Sequence, residues 1–147
     1  MSIEENKAII RRQIEEMWDK GKLELADEFF TSDFVGHDPF SSEEIQGPEG
    51  FKQFVATSRA SLPDLHMRIE DQVAEGDRVA TRYLISGTHE GEIQGIPPTG
   101  NWVEVSGTGI DRISGGKIAE SWEHYDALGM LQQLGVIPSP EEQASQD

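Results

Sequence analysis

Residues 117–135 combine side chains able to carry acid–base chemistry with the alternation of a β-strand, followed by the pattern of a short helix. Because strand side chains alternate between the two faces of a sheet, every second residue of this strand shares one face. That face holds Ile118, Glu120, Trp122, His124 and Asp126. A packed interior accepts carboxylates and imidazoles only where they are paired or functional. The segment therefore predicts one wall of a pocket with an acid–base centre at its mouth.

Asp126, at the predicted join between this strand and the helix, is the first candidate for a general base. Desolvation against an apolar wall raises the pKa of a carboxylate, and a raised pKa suits proton abstraction near neutral pH. His124 shares the predicted face and would orient the carboxylate or protonate a new alkoxide. In the alternative interpretation Asp126 is a helix N-cap, for which Asp is a preferred residue, and His124 only borders the pocket mouth.

Two further polar candidates are His37 and Glu120. His37 lies at the end of a separate predicted strand and would donate a hydrogen bond to a substrate carbonyl. Alternatively, His37 and Asp38 hold a turn together ahead of a proline. Glu120 would face the interior and contact a ligand, or be paired with an arginine of the neighbouring strand such as Arg112.

Aromatic side chains are expected to line the cavity and bind an apolar ligand. They are Trp18, Phe34 and Trp122. Large aromatic residues are also ordinary core residues, which is the alternative for all three. Asp111 alternates with Ile110 on the preceding strand, so it would either enter the same cavity or, as we expect of a charge on a strand, face solvent.

We expect neither a metal nor a cofactor. A zinc or iron site could be assembled only from dispersed residues: His37, His89, His124 and Asp126. Their spacing matches neither H-x-H nor H-E-x-x-H, the patterns that would support such a site. The segment from Gly107 to Arg112 stops short of the nucleotide-binding pattern G-x-G-x-x-G, because Arg112 occupies the last position. There is no G-x-S-x-G motif of a serine hydrolase.

The composition favours an acidic protein that does not bind nucleic acid. Its 147 residues include 28 Asp and Glu against 12 Lys and Arg, and the net charge of −16 repels phosphate backbones and anionic membrane surfaces. The absence of cysteine excludes disulfides and a cysteine nucleophile. The N-terminus lacks the pattern of a signal peptide, and no segment approaches the ~20 apolar residues that span a bilayer. We therefore expect a cytoplasmic protein.

Helical periodicity dominates the first part of the chain, and strand alternation the second. An apolar stripe predicts a helix over residues 3–20, a shorter helix follows over 22–30, and Gly47-Pro48 opens a third. From Leu65 onward the period changes to two, which predicts a meander of long antiparallel strands before a closing helix over 126–134. Three helices, a meander and a short helix make an α+β fold.

The domain organisation is simple. We assign residues 1–138 to one domain, without an internal repeat or linker, and expect the polar tail 139–147 to be disordered. Glycines within or beside the strands predict bends that curve the sheet over the helices. They are Gly87, Gly107 and Gly109.

Six short motifs follow one another along most of the chain. They are F-V-G-H-D-P at 34–39, G-x-x-G-F-K-Q-F at 47–54, P-D-L-H-M-R-I-E-D at 63–71, S-G-T-H-E-G at 86–91, G-I-P-P-T-G at 95–100 and D-A-L-G-M-L-Q-Q-L-G at 126–135. In order and spacing they resemble the SnoaL-like ester cyclases, small polyketide cyclases of the nuclear-transport-factor-2-like (NTF2-like) fold. The resemblance implies a cone-shaped α+β barrel, with a curved antiparallel sheet wrapped over N-terminal helices. It also implies a homodimer formed through the outer sheet face.

The chemistry that this resemblance implies is a cofactor-free intramolecular aldol condensation. A carboxylate removes an α-proton from a polyketide ester, the enolate attacks a ketone of the same molecule, and a ring closes. In the pattern of the family, the acid–base carboxylate resembles Asp126. The chain departs from many relatives at Gly109 and Ser121, where they carry histidines.

We therefore predict a cofactor-independent cyclase that acts on a small hydrophobic carbonyl compound, with Asp126 as general base. An isomerase, a dehydratase or a hydrolase in the same cavity is an alternative, because fold does not determine function. A non-catalytic ligand-binding or scaffold dimer is the other class. An enzyme predicts an Asp126 carboxylate in the cavity, within reach of His124 or His37. A binding protein predicts an Asp126 turned to its own helix.

Overall fold

The computed structural model describes residues 2–138 and residue 141. The helices are α1 (Ile3–Gln13), α2 (Ala26–Phe29), α3 (Gly47–Ser61) and α4 (Ala127–Gln133), with a π-helical segment at Ile14–Asp19 and a 3-10 turn at Leu23–Leu25. The strands are β1 (Phe30–His37), β2 (Ile45–Gln46), β3 (His66–Glu75), β4 (Arg78–Thr88), β5 (Trp102–Ser114) and β6 (Lys117–Tyr125). The tail predicted to be disordered, 139–147, lies outside the described residues apart from Glu141.

The first helix begins at a capping box. The Ser2 side chain accepts a hydrogen bond from the Glu5 backbone N–H, and the Glu5 side chain accepts one from the Ser2 backbone N–H. The helix continues through the π-helical segment, so the helix predicted over 3–20 is present with a widened last part. It ends before Gly21, whose φ of 70° is a left-handed conformation that glycine adopts without strain.

One six-stranded sheet, in the order β2-β1-β6-β5-β4-β3, forms the frame of the fold. The meander predicted from Leu65 onward is present as β3 to β6, and each neighbouring pair is antiparallel. The sequence reasoning missed the other edge, where β1 pairs with β6 in parallel and with the two-residue strand β2. The predicted α+β fold, a curved sheet packed over helices, is confirmed.

A bulge in β6 decides which side chains face the helices. Arg112 of β5 pairs with Glu120, but the next residue, Ile113, pairs with Ile118, so Ala119 is an extra residue on β6. Ile118 and Ala119 are consequently both buried, at 1% and 6% exposure. Beyond the bulge, the inner face belongs to the odd-numbered residues. They are Ser121, Glu123 and Tyr125.

The predicted inner face of this strand is therefore wrong beyond Ile118. The predicted set, Glu120, Trp122, His124 and Asp126, has the opposite parity to the residues that line the cavity. Strict alternation holds only while each residue has one partner on the neighbouring strand, and one inserted residue exchanges the two faces.

Candidate active site

The concave face of the sheet and the helices enclose a cavity with two adjoining chambers. The inner chamber has a volume of about 80 Å³ and the outer one about 460 Å³. Six side chains border both: Trp18, Asp38, Ile45, Phe54, Ile85 and Tyr125. The outer volume lies in the range of small-molecule sites. A ligand can therefore place its body in the outer chamber and one end in the inner chamber.

Two carboxyl groups enter the inner chamber from neighbouring strands. Asp111 of β5 pairs with Ser121 of β6, and Glu123 lies two residues further along β6 on the same face. Ser121 Oγ donates a hydrogen bond to Asp111 Oδ1. Tyr83 Oη, from β4, donates one to Glu123 Oε2 at 2.5 Å. Each carboxyl group thus has one hydroxyl donor, and both belong to one cluster.

The enclosure of this pair raises both pKa values. Burial raises the pKa of Asp111 to about 6, against the opposing effect of the Ser121 hydrogen bond. Burial, and secondly the charge of Asp111, raise the pKa of Glu123 to about 8. The pair therefore titrates around neutrality, with apparent values that belong to the two groups together. At neutral pH it carries one proton and one negative charge.

Two glycines of β5 leave the space that this cluster occupies. A Cβ atom at Gly109 would overlap the Glu123 carboxylate, and one at Gly107 would overlap the Tyr83 ring. The carboxylate of Glu123 thus occupies the space beside the backbone of Gly109.

Asp38 and Tyr125 lie at the junction of the two chambers. Tyr125 Oη donates to Asp38 Oδ2 at 3.0 Å, and its ring packs against Phe40 with 5.5 Å between ring centroids. Desolvation raises the pKa of the Asp38 carboxyl, although hydrogen bonds from Phe40 N and Tyr125 oppose that shift. Burial also raises the pKa of Tyr125, so its hydroxyl stays protonated and acts as a donor.

The charge of the cavity lining has one sign. Asp38, Asp111, Glu123 and Glu92 contribute carboxyl groups, and no Lys or Arg is among the described residues that line either chamber. The one histidine of this lining, His37, is paired with Glu120. The rest of the inner chamber is mainly aliphatic and aromatic. Such a lining favours a neutral, largely apolar ligand with a few polar atoms.

Residues 8–134 match the family described as SnoaL-like polyketide cyclase. The chain belongs to that family. Its fold is accordingly NTF2-like, as the motif resemblance implied. TsrD from Streptomyces laurentii superimposes with a TM-score of 0.83 at 25% identity, over 93% of this chain and 99% of that one. IdmH from Streptomyces antibioticus does so with a TM-score of 0.75 at 34% identity, over 88% of this chain and 98% of that one.

The chain is also similar to the aklanonic acid methyl ester cyclase DnrD of Streptomyces peucetius. The identity is 29% over 140 residues, which covers 90% of this chain and 93% of DnrD. The chain therefore matches nearly the full length of DnrD, a relative named as a cyclase.

The structure places two of the three predicted catalytic residues, Asp126 and His124, outside the lining of either chamber. Asp126 is exposed, and its Oδ1 accepts the backbone N–H of Gly129 at 2.9 Å, which makes it the N-cap of α4. His124 is exposed on the outer sheet face. His37 borders the inner chamber, but its Nε2 lies 2.8 Å from Glu120 Oε2 and its ring stacks on Trp122. A catalytic role for these residues stays a prediction.

The predicted ligand-binding residues divide into two groups. Trp18 borders both chambers and Phe34 the inner one. Glu120 and Trp122 lie on the outer face, because the bulge reverses their parity. Glu120 is paired with Arg112, 3.5 Å between the nearest atoms, as the alternative for that residue proposed. Hence Trp18 and Phe34 remain candidates for contact with a ligand.

The expectation that Asp111 faces solvent is wrong, since the residue is only 7% exposed and borders the inner chamber. The alternation of β5 already indicated that Asp111 faces the interior. Val103, Val105 and Ile113 share the parity of residue 111, so strict alternation places Asp111 with the apolar residues. Glu123 had no comparable signal, because the bulge lies between it and the start of its strand.

Among the residues that the structure describes, no three His, Asp or Glu side chains are grouped so that they could hold a metal ion. Over the same residues, no helix is long and apolar enough to cross a membrane.

Proposed function

We propose that the protein is a cofactor-independent cyclase that closes a ring in a hydrophobic carbonyl compound by intramolecular aldol chemistry. The observation that carries the proposal is the pair Asp111–Glu123 in an apolar chamber. Environments that separate the pKa values of two carboxyl groups make one a base and the other an acid at the same pH. Here the values of about 6 and about 8 bracket neutrality.

In the proposed reaction, ionised Asp111 removes a proton from the carbon next to an ester or ketone carbonyl. The enolate carbon forms a bond to a ketone carbon of the same molecule. The ketone oxygen gains the electron pair of its π-bond and takes the proton of Glu123. Asp111 ends protonated and Glu123 ionised, and proton transfer between these neighbours restores the starting state. General acid–base catalysis of this kind typically contributes ~10²–10⁴-fold in rate.

The shape of the cavity supports a substrate with a bulky body and a reactive end. The outer chamber, about 460 Å³, accommodates the body, and the inner one, about 80 Å³, accommodates only the reacting atoms. DnrD is named for aklanonic acid methyl ester. Aklanonic acid methyl ester is therefore the first compound to test, followed by smaller aromatic β-ketoesters.

The test is turnover by the wild type and three isosteric variants. Asp111→Asn and Glu123→Gln should each lower kcat/KM by ~10²–10⁴-fold while the affinity for an unreactive substrate analogue stays within a few-fold. Asp126→Asn is the matched control, because Asn caps a helix as well as Asp does. It should retain turnover. If Asp126→Asn lost turnover while the other two variants kept it, Asp126 would be the base.

One observation favours the second class, a non-catalytic ligand-binding protein. The Asp126 carboxylate is turned to its own helix, as that class predicts. A binding protein would bind the same compounds without converting them. Wild-type protein that binds the ester and the β-ketoesters but turns over none of them would decide for this class.

We also propose a homodimer formed through the outer face of the sheet. Ile110 and Trp102 of β5 are 42% and 59% exposed on that face, and Trp122 is the cross-strand partner of Ile110. An exposed apolar sheet face of this kind is typical of a protein interface. Light scattering should give a dimer mass for the wild type and a monomer mass for Ile110→Lys. A monomeric wild type would contradict the proposal.

A further inference from the structure

The junction between the two chambers contains a carboxylate whose two oxygens have different surroundings. Asp38 Oδ2 accepts two hydrogen bonds, from the backbone N–H of Phe40 and from Tyr125 Oη, both at 3.0 Å. Asp38 Oδ1 is buried and has no hydrogen-bond partner among the described residues. The bond to Phe40 closes a local turn of the kind that Asp commonly forms. Oδ2 thus makes the hydrogen bonds that fix the local structure, and Oδ1 has no part in them.

An unpaired, buried carboxylate oxygen is unfavourable. The cost of leaving a buried acceptor unsatisfied is ~1–3 kcal/mol, and it is larger for a charged group. The side chain borders both chambers, so any ligand that reaches from one to the other passes it. We propose that Asp38 Oδ1 accepts a hydrogen bond from a hydroxyl group of the ligand, and so selects hydroxylated aromatic compounds.

The neighbours of Asp38 favour a hydroxyl group on a flat, neutral ring. Most of the other side chains at the junction are aliphatic or aromatic, and Tyr125 with Phe40 forms an aromatic wall beside the carboxylate. An aromatic hydroxyl provides one donor and enters such a junction without carrying a charge out of water. A ligand whose hydroxyl is methylated has no donor and leaves Oδ1 unpaired.

This inference rests on the proposed function only in taking the cavity as the substrate site, and binding alone tests it. The probes are 2-naphthol and 2-methoxynaphthalene, which differ in the donor, with affinities measured by calorimetry. Wild-type protein should prefer 2-naphthol by at least ~10-fold, the usual value of a hydrogen bond to a charged group. Equal affinities in the wild type would overturn the proposal without any variant.

Asp38→Asn is the decisive variant. The amide oxygen can take over the bond from Phe40, which leaves the NH₂ group where Oδ1 was and turns an acceptor into a donor. The preference for 2-naphthol should therefore fall to about 1 or reverse. Tyr125→Phe is the matched control, since it removes a donor to Oδ2 and leaves Oδ1 in place, so the preference should persist. A preference that survives in Asp38→Asn would overturn the proposal.

Glu123→Gln separates this inference from the proposed reaction. It removes the titratable group of the inner chamber but leaves the junction unchanged, so the preference for 2-naphthol should persist while turnover falls. A preference abolished by Glu123→Gln and retained by Asp38→Asn would place the hydroxyl in the inner chamber and overturn the assignment to Asp38. A protein that turns over no ester but shows the preference would still have the Asp38 subsite.

Discussion

Glu123 and Gly109 are cross-strand partners, and the carboxylate of Glu123 occupies the space that any side chain at position 109 would need. The same strand repeats this arrangement two residues earlier, where Gly107 leaves room for the Tyr83 ring. The two glycines therefore leave the room in which Tyr83 can donate its hydrogen bond to Glu123. Glycine in the interior of a strand weakens the strand. Here the absence of a side chain at both positions lets the polar groups of Tyr83 and Glu123 enter the cavity.

Replacing Gly109 by Ala should lower activity by displacing Glu123. The added methyl group overlaps the carboxylate, so Glu123 must leave the position in which it accepts the hydrogen bond from Tyr83. A misplacement of ~1 Å in a catalytic group can lower the rate by ~10²-fold, and a loss of this order in kcat/KM is expected. Steady-state kinetics measures it. Thr108→Ala, on the exposed outer face, is the control and should behave as the wild type. Normal kinetics in Gly109→Ala would show that Glu123 is not needed.

The pH dependence of kcat/KM should be bell-shaped. Activity requires ionised Asp111, so it should rise through about pH 6, and it requires protonated Glu123, so it should fall through about pH 8. Asp111→Asn should remove the acidic limb from any residual activity. It should also move the basic limb to lower pH, because the charge of Asp111 raises the pKa of Glu123. Glu123→Gln should remove the basic limb. An optimum outside this window, or variants whose limbs match those of the wild type, would contradict the assignment.

Stability should also depend on pH through Glu123. Its pKa is raised from 4.5 to about 8 by folding, so between these values the native state binds more protons than the unfolded state. Stability from this group is then fully present below about pH 4.5 and is lost as the pH rises through about 8. Glu123→Gln cannot ionise. Its melting temperature should equal that of the wild type at pH 4.5 and exceed it by several degrees at pH 9.

The matched control for that experiment is Glu104→Gln, an exposed carboxylate on the outer side of β5. Calorimetric scans of the three proteins between pH 4.5 and pH 9 give the comparison. The difference between Glu123→Gln and the wild type should widen with pH, whereas Glu104→Gln should follow the wild type. A constant difference across the range would mean that Glu123 is not held protonated by the fold.

Periodicity was sufficient to predict the α+β class and the antiparallel meander, but not the whole sheet. The helical stripe ending in Met17 and Trp18, and the change to a period of two at Leu65, follow from burying one face of each element. The pairing of strands that are distant in the chain leaves no periodic pattern in the sequence. The parallel contact of β1 with β6 depends on how the ends of the sheet pack, and the two-residue strand β2 is too short to show alternation.

The candidate site was predictable as a cavity but not as a set of residues. Trp18 and Phe34 were assigned to the lining because some of the large aromatic residues must line a cavity in this core, and both border the inner chamber. The polar residues depended on the register of β6, and the extra residue Ala119 exchanged its faces. Asp126 satisfied two patterns at once, a strand end and a helix N-cap, and the cap is what the structure shows. Because of this bulge, Glu123 lies in the cavity lining, whereas the alternation of the sequence had placed Asp126 there.

The one-signed lining of the cavity predicts discrimination between an ester and its free acid. No Lys or Arg is among the described residues that line the chambers, whereas Asp38, Asp111, Glu123 and Glu92 contribute carboxyl groups. A carboxylate ligand would be desolvated there without a cationic partner, and it would face the charge of ionised Asp111. Aklanonic acid methyl ester should therefore bind at least ~10-fold more tightly than aklanonic acid at pH 7, by calorimetry.

The corresponding primary amide separates charge from size in this experiment. It is neutral and close to the acid in volume, so it should bind like the ester if charge is the cause. Asp111→Asn removes a negative charge from the inner chamber and should reduce the difference between ester and acid. Asp126→Asn removes an exposed charge outside the cavity and should leave it unchanged. The described lining contains no Lys or Arg, and its one histidine, His37, is already paired with Glu120. An acid that binds as tightly as its ester would therefore contradict this account of the cavity.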